Sequence, residues 1–277
     1  MTDTVVVPPE VLTAVRTKHR ALWALGDYPA VATEVIPSLG PILVEAAGVR
    51  PGDHVLDVAA GSGNAAIPAA LAGAHVIASD LAPELFDAGR AAAAASGAEL
   101  TWAEADAHAL PFDEAAFDRV LSCVGVMFAP FHQTAADELL RVTRPGGTIG
   151  LIAWTPAGFI GQMFAAMKPY APSPPPGAQP PPLWGDEAHV RALLGDGVTD
   201  VHAEVRSLPV ARFASGVEFR EFFKAVYGPT IAVYRNVADD AERTAALDQA
   251  LLDLAARFQD ADGAMGWDYL LLTATRA

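Results

Sequence analysis

The sequence predicts an α/β fold built on a doubly wound, mostly parallel sheet. Short apolar runs of strand length alternate with helix-forming segments between residues 54 and 154, which is the pattern of repeated strand–helix–strand units. The first run, His54–Val58, stops at a turn with two glycines, and the next run ends on Asp80. In open sheets of this kind ligands bind at the carboxyl ends of the strands, so we expect a site at this turn.

The remaining elements follow from periodicity and from helix-ending residues. Pro68 is compatible with the first helix because it falls in the first turn, and Gly97 stops the second helix. The predicted strands are 54–58, 76–80, 100–104, 118–122, 147–154, 198–209 and 269–274, and the helices between the first five are 64–71, 83–96 and 134–142.

Composition narrows the class of protein. The 277 residues are 52% hydrophobic, which is ample for one domain over 1–277 with a lid. A net charge of −15 opposes a phosphate backbone, so nucleic acid is not an expected partner. A single cysteine, Cys123, excludes an intrachain disulfide, and neither a membrane-spanning run nor a signal peptide is present. We expect a soluble, cytoplasmic protein with no membrane partner, either a monomer or a homodimer.

The glycine turn and Asp80 together predict a ligand cradle. Gly61 and Gly63 let the backbone approach a ligand without a Cβ in the way, and an acid about twenty residues on can grip a ribose diol. Gly61-x-Gly63-x-x-Ala66 is also a loose dinucleotide fingerprint. Asp57 argues against that interpretation, because its carboxylate would repel a pyrophosphate and attract a cationic amino-acid group.

Four motifs in order then resemble one family. VLDVAAGSGN, the Asp80 strand end, EADAHALPFDEAAFDRVLSCVGVMF and RVTRPGGTIGLIAW resemble the class I methyltransferases that use S-adenosylmethionine, most closely the ubiquinone and menaquinone C-methyltransferase-like group. The resemblance covers about residues 49–154. It implies a Rossmann-like, seven-stranded sheet whose last strand is antiparallel, with 48–154 as the cofactor-binding core. Ala59 stands where many members have glycine, which is tolerated if ordinary dihedral angles are kept.

The resemblance also implies the residues that hold the cofactor. Asp106 would accept from the adenine amino group, although it could instead cap its own loop. The N–H of Ala107 would meet a ring nitrogen, and Ser122 and Cys123 would face the methionine portion through backbone groups. The implied cofactor-binding residues are Asp57, Ala59, Gly61, Ser62, Gly63, Asp80, Leu81, Asp106, Ala107, Ser122 and Cys123.

Segments on both sides of this core are expected to cover it. Residues 1–47 predict an N-terminal helical cover, with one helix over 10–25 and a second from residue 30 that Pro37 and Pro41 interrupt before it resumes to 47. Residues 155–277 would complete the sheet and insert lids at about 155–185 and 213–262. The proline-rich part, 168–185, is either a linker, a site for a partner domain or, as we prefer, a rigid strap over the site. The predicted last strand would lie at the sheet edge.

Methyl transfer needs alignment in a dry pocket rather than a nucleophile or a metal. His132 is the predicted general base, although a histidine at a helix start is more often structural. Aromatic side chains would line the acceptor pocket, with core packing as the alternative: Trp23, Tyr28, Met127, Phe128, Trp154, Phe164, Trp184, Phe222 and Tyr227. His19 is expected to be solvated.

The sequence therefore predicts methyl transfer to carbon, nitrogen or oxygen of a small apolar, possibly aromatic metabolite. Two alternatives stay open. An NAD-dependent oxidoreductase would use the glycine turn for a dinucleotide, and a non-catalytic S-adenosylmethionine-binding regulator would keep the turn and Asp80 but lack an acceptor pocket.

Overall fold

The computed structural model describes residues 9–277, so the first eight residues of the predicted cover lie outside the description. Seven strands form one sheet in the order β3-β2-β1-β4-β5-β7-β6. This confirms the α/β class and the mostly parallel, seven-stranded sheet. The strands are β1 His54–Val58, β2 His75–Asp80, β3 Thr101–Glu104, β4 Phe117–Cys123, β5 Thr143–Trp154, β6 Val198–Val210 and β7 Met265–Arg276.

Helices cover the sheet and extend into the two regions outside the core. The helices are α1 Pro9–Trp23, α2 Tyr28–Glu34, α3 Leu39–Ala46, α4 Ala66–Leu71, α5 Phe86–Ser96, α6 His132–Val142, α7 Phe159–Met167, α8 Glu187–Leu194, α9 Gly216–Val226, α10 Gly228–Asn236 and α11 Ala241–Phe258. None of these helices is both long enough and apolar enough to cross a membrane.

The centre of the sheet places the carboxyl ends of β1, β2 and β4 beside one another. β1 pairs in parallel with β2 on one side and with β4 on the other. From β1 the chain adds β2 and β3 on one side and then crosses to add β4 on the other. The strand order therefore reverses between β1 and β4. A crevice opens at such a point, and ligands bind there.

The last strand is antiparallel, as predicted, but its predicted place at the sheet edge is wrong. β7 runs antiparallel to β5 on one side and to β6 on the other. Its middle, residues 269–272, is buried, whereas most of β6 is exposed. The more polar strand β6 therefore takes the solvated edge, because an interior strand must be apolar on both faces.

One proline in the N-terminal cover behaves differently from the prediction. Pro37 does separate α2 from α3, but Pro41 lies in the first turn of α3 and does not interrupt it. A proline there costs little, because the N–H it lacks would have had no partner within the helix.

The N-terminal cover is joined to the lid by backbone contacts. The N–H of Asp27 donates to the carbonyl oxygen of Val226 at 2.9 Å. A Cβ added to Gly228 would lie 2.3 Å from the carbonyl oxygen of Leu22, so only glycine permits this close approach. The α1–α2 and α9–α10 connections thus pack directly against each other, and we call this pair of connections the roof.

Candidate active site

The glycine turn and the acid that ends β2 form one hydrogen-bonded unit. Asp80 accepts from the backbone N–H of Gly61 through Oδ2 and from that of Ala82 through Oδ1, each at 2.8 Å. Burial raises the pKa of Asp80 to about 6, and these N–H donors oppose the rise. The side chain is therefore mostly ionised at neutral pH. Each oxygen keeps a lone pair that a ribose hydroxyl could use.

From the sequence we expect alanine to be tolerated at position 59 if its dihedral angles are ordinary. They are not. The φ of Ala59 is +55°, in the left-handed region that favours glycine. Gly61 also has positive φ, and a Cβ there would lie 3.2 Å from the Tyr28 ring. The turn carries backbone strain at Ala59 and is closed from above by Tyr28.

A cavity lies over this turn, with an empty volume of about 690 Å³ counted out to its mouth. It brings together the predicted cofactor residues Ala59, Gly61, Asp80, Leu81, Asp106 and Ala107 with three of the predicted aromatic residues, Trp23, Tyr28 and Phe128. The other lining residues are Val15, Arg16, His19, Leu85, Ala105, His108, Val124, Gly125, Val126, Ala129 and Pro130.

Five predicted cofactor residues do not line the cavity: Asp57, Ser62, Gly63, Ser122 and Cys123. A Cβ on Gly63 would meet Trp102, so this glycine serves helix–sheet packing. The Ser122 hydroxyl donates to the Val58 carbonyl oxygen at 2.7 Å and accepts from the Val126 N–H at 2.8 Å, which fixes the chain after β4. Cys123 is buried, which raises the pKa of its thiol. Ser62 is also buried.

Asp57 is the buried polar group that most needs a partner. It is 1% exposed, and neither carboxylate oxygen has a hydrogen-bond partner among the described residues. Burial raises its pKa to about 8, and the nearby backbone N–H of Ala66 acts in the opposite direction. A buried acid without a partner costs free energy. The α-ammonium group of the cofactor's methionine portion would offset that cost, so this residue fits the cofactor that the motifs imply.

Besides Asp80, four polar side chains line the cavity and lie close enough to one another to interact electrostatically; we call them the polar wall: Arg16, His19, Asp106 and His108. Asp106 Oδ1 accepts from the backbone N–H of His108 at 2.9 Å and lies 2.8 Å from its Nδ1. The His108 ring and the nearby Arg16 lower the pKa of Asp106 against the effect of burial. The carboxylate is therefore ionised and able to accept from an adenine amino group.

The sequence alone did not place three residues of the polar wall at the site: Arg16, His19 and His108. His19 is not simply solvated: it lines the cavity, and burial followed by His108 lowers its pKa. Val15, Arg16, His19 and Trp23 all line the cavity from α1. The spacing of Val15, His19 and Trp23 by four residues was the signal that could have placed them together. His108 gave no comparable signal, because its contacts depend on the fold.

The aromatic residues that line the cavity, which we call the aromatic wall, are Trp23, Tyr28 and Phe128. The Trp23 ring lies 4.6 Å from Phe128 and 5.5 Å from Tyr28, centroid to centroid. Asp80 is linked to both walls. Its side chain accepts from the N–H of Gly61, which lies against the Tyr28 ring, and its backbone carbonyl oxygen accepts from the N–H of Ala105, the residue before Asp106.

The other predicted acceptor residues lie behind the aromatic wall or away from it. Trp154 and Tyr227 share a narrow apolar space with Tyr28, and the Phe164 ring lies 5.9 Å from Phe128. Met127 and Trp184 are fully buried in the core. Phe222 packs under the Arg212 guanidinium.

The structure does not bring His132 to the cavity. Its side chain is fully buried, with Nδ1 2.9 Å from His189 Nε2 and its ring 5.5 Å from that of Trp184. Burial, and then His189, lower its pKa to about 3, so it is neutral at physiological pH. The imidazole therefore packs between His189 of α8 and Trp184. Among the described residues no group of three or more His, Cys, Asp or Glu side chains could hold a metal ion.

Comparison with known proteins agrees with this geometry. Residues 55–147 match the family model described as a methyltransferase domain. Two uncharacterised proteins of Mycobacterium tuberculosis are similar over nearly the whole chain. Rv1405c is 54% identical over 93% of this chain and 94% of its own, and Rv1403c is 51% identical over 99% of both. A demethylmenaquinone methyltransferase of Clavibacter sepedonicus is 39% identical over 35% of this chain and 40% of its own.

Solved structures share the fold at low sequence identity. The YcgJ protein of Bacillus subtilis superposes with a TM-score of 0.56 at 15% identity, over 86% of this chain and 98% of its own. The cavity, its ionised Asp80 and Asp106, the unpartnered Asp57 and the methyltransferase match over β1 to β5 point to the same conclusion. The chain belongs to the class I S-adenosylmethionine-dependent methyltransferases.

Proposed function

We propose that this enzyme methylates a carbon, nitrogen or oxygen of a small, neutral, apolar and planar metabolite. The observation that carries the proposal is the aromatic wall: Trp23, Tyr28 and Phe128 line the same cavity as the polar wall, and Trp23 packs against the other two rings. An acceptor that packs against these rings would be apolar itself.

The residues of this chain divide the binding task. Asp80 would hold the ribose hydroxyls, Asp106 and the Ala107 N–H the adenine, and Asp57 the ammonium group. When bound, S-adenosylmethionine would supply a methyl group activated by its sulfonium, with S-adenosylhomocysteine as the leaving group of an in-line displacement. The enzyme would contribute by aligning the acceptor and excluding water. Such alignment can lower the activation free energy by up to roughly 7–11 kcal/mol.

The aromatic wall has two further effects. Ring faces stabilise a positively charged group nearby, which suits a sulfonium. Burial and the neighbouring Cys123, Asp80 and Asp57 raise the pKa of the Tyr28 hydroxyl, so it stays protonated and can donate a hydrogen bond. We assign no base to His132, because it lies outside the cavity.

The relatives support this proposal in part. The Clavibacter protein is named for demethylmenaquinone, but its similarity covers only part of this chain. That similarity supports the chemistry, while the acceptor depends on the cover and lid residues of this chain. We also propose a cytoplasmic location, with Cys123 as a reduced thiol, and a monomer or homodimer with no nucleic-acid partner.

The test uses S-adenosylmethionine with an isotopically labelled methyl group and two matched probes, 1-naphthol and 1-naphthoate. The proposal expects labelled product from the neutral 1-naphthol and at least tenfold less from the anionic 1-naphthoate. The Asp80→Ala variant is the control and should lose the signal. A preference for 1-naphthoate would contradict the apolar acceptor.

Calorimetry separates the alternatives. Binding of S-adenosylhomocysteine without turnover on any neutral probe would favour the non-catalytic regulator. Binding of NAD but not of S-adenosylhomocysteine would favour the oxidoreductase.

A further inference from the structure

Three hydrogen bonds connect His108, in the polar wall, to Phe131 and Asp106. The backbone N–H of Phe131 donates to His108 Nε2 at 3.3 Å, and His108 Nδ1 lies 2.8 Å from Asp106 Oδ1. The His108 backbone N–H donates to the same Oδ1 at 2.9 Å. Because Nε2 accepts, the network assigns the neutral tautomer with the proton on Nδ1, which then donates to Asp106.

This arrangement gives the two oxygens of the Asp106 carboxylate different roles. Both hydrogen bonds that described residues make to this side chain end on Oδ1. Asp106 lines the cavity, and its side chain is 13% exposed. Two donors on one oxygen fix the plane of the carboxylate, so the other oxygen, Oδ2, is held available to a ligand.

We propose that His108 is a positioning residue that holds Asp106 so that Oδ2 accepts from the 6-amino group of adenine. The inference rests on the proposed cofactor role of Asp106. It adds a residue that touches no ligand itself and controls the choice of base through another side chain. A ligand with a carbonyl oxygen at that position would face the carboxylate with an acceptor instead of a donor, and binding would weaken.

The same contacts argue against His108 as a general base. A base needs a nitrogen lone pair directed at the acceptor, and here the Phe131 N–H occupies Nε2 while Nδ1 carries its proton toward Asp106. Its side chain is also only 6% exposed and packs against the Phe131 ring, with the centroids 5.5 Å apart and the planes tilted by 58°. His108 therefore acts on the site through Asp106.

Calorimetry with two probes tests the proposal: S-adenosylhomocysteine, and S-inosylhomocysteine, which carries oxygen in place of the 6-amino group. Wild-type protein should prefer the adenine compound about tenfold or more, because a hydrogen bond to a charged group is involved. His108→Phe keeps a buried ring but removes the side-chain donor, and the preference should fall about three- to tenfold. The remaining backbone donor explains why the loss is partial.

His108→Asn is the rescue variant, because the Asn amide nitrogen can donate from about the place of Nδ1; it should restore most of the preference. His54→Phe is the matched control. His54 is exposed at the start of β1, the opposite end of the strand from the cavity, and the preference should stay at the wild-type value.

Two results would overturn the inference. One is a preference in folded His108→Phe within twofold of wild type while S-adenosylhomocysteine still binds. The other needs no variant: nitrogen-15 NMR of wild-type protein showing the His108 proton on Nε2. If wild-type protein binds neither probe, the proposed function fails, and this inference fails with it.

Discussion

The backbone N–H of Gly61 lies 2.8 Å from Asp80 Oδ2, and this hydrogen bond joins the glycine turn to the end of the neighbouring strand. The turn after β1 and the acid after β2 are separate in sequence, yet each holds the other in place. The proposed ribose site is therefore formed before any ligand arrives, which would lower the entropic cost of binding.

Asp80→Ala should weaken the binding of S-adenosylhomocysteine about 100-fold, measured by calorimetry. The change removes two charged hydrogen bonds to the ribose and the acceptor that orders Gly61, a loss of about 3 kcal/mol. Asp87→Ala is the control, because the Asp87 side chain is 93% exposed on α5 and should change affinity less than twofold. Affinity within threefold of wild type in the Asp80 variant would remove Asp80 from the site.

Asp57→Asn should stabilise the ligand-free protein, and increasingly so as pH rises. The Asp57 pKa is about 8 in the folded protein and 3.8 in the unfolded chain. Between these values the folded state binds one more proton, so the wild type loses stability as pH rises, by at most about 1.4 kcal/mol per pH unit. The Asn side chain does not titrate, so the difference in Tm should grow from pH 5 to about pH 8 and then level off.

The control for this pH series is Asp87→Asn, whose difference in Tm from wild type should stay flat over the same range. A flat difference for Asp57→Asn as well would mean that the Asp57 carboxyl has an ordinary pKa. Addition of S-adenosylhomocysteine to wild-type protein at pH 7 should release protons, because the ammonium group favours the ionised acid; calorimetry in two buffers with different ionisation enthalpies measures this release.

Ala59→Gly should raise the free energy of unfolding by about 1 kcal/mol in urea denaturation. Glycine accepts a φ of +55° without the Cβ clash that alanine suffers, and this gain exceeds its larger chain entropy in the unfolded state. Ala60→Gly is the matched control, because Ala60 has no positive φ to relieve. It should lower stability by about 0.5–1 kcal/mol, so the two neighbouring changes should have opposite signs. Equal destabilisation would contradict strain at Ala59.

Gly228→Ala should loosen the roof. The new Cβ would lie 2.3 Å from the Leu22 carbonyl oxygen, so the end of α1 and the start of α10 must separate. We expect a loss of about 1–3 kcal/mol in stability and faster dissociation of S-adenosylhomocysteine in stopped-flow measurements.

The control for the roof is Gly216→Ala, on the same lid. A Cβ there would meet the Ala255 side chain and not the N-terminal cover, so dissociation should keep the wild-type rate. Equal rates for wild type and Gly228→Ala would show that the roof does not retain the ligand.

Some of the site followed from sequence because the residues that form it are close along the chain. The Asp57 to Asp80 segment is one strand–turn–helix–strand unit, so its glycines and its acid had to converge. Asp106 followed from the motif after β3. By contrast, His108 follows β3 and His132 begins α6, and only the tertiary surroundings show that His132 is a buried core side chain and that His108 lies at the cavity.

The sequence alone determined the α/β class, the order and approximate bounds of the strands, the glycine turn and the acids at the strand ends, because periodicity and turn chemistry act over a few residues. Tertiary structure alone decided that β6 and not β7 takes the sheet edge, that Ala59 is strained, that α1 contributes a face to the cavity, and which aromatic residues form its wall. These outcomes depend on packing between segments distant in sequence, and no local pattern carries that information.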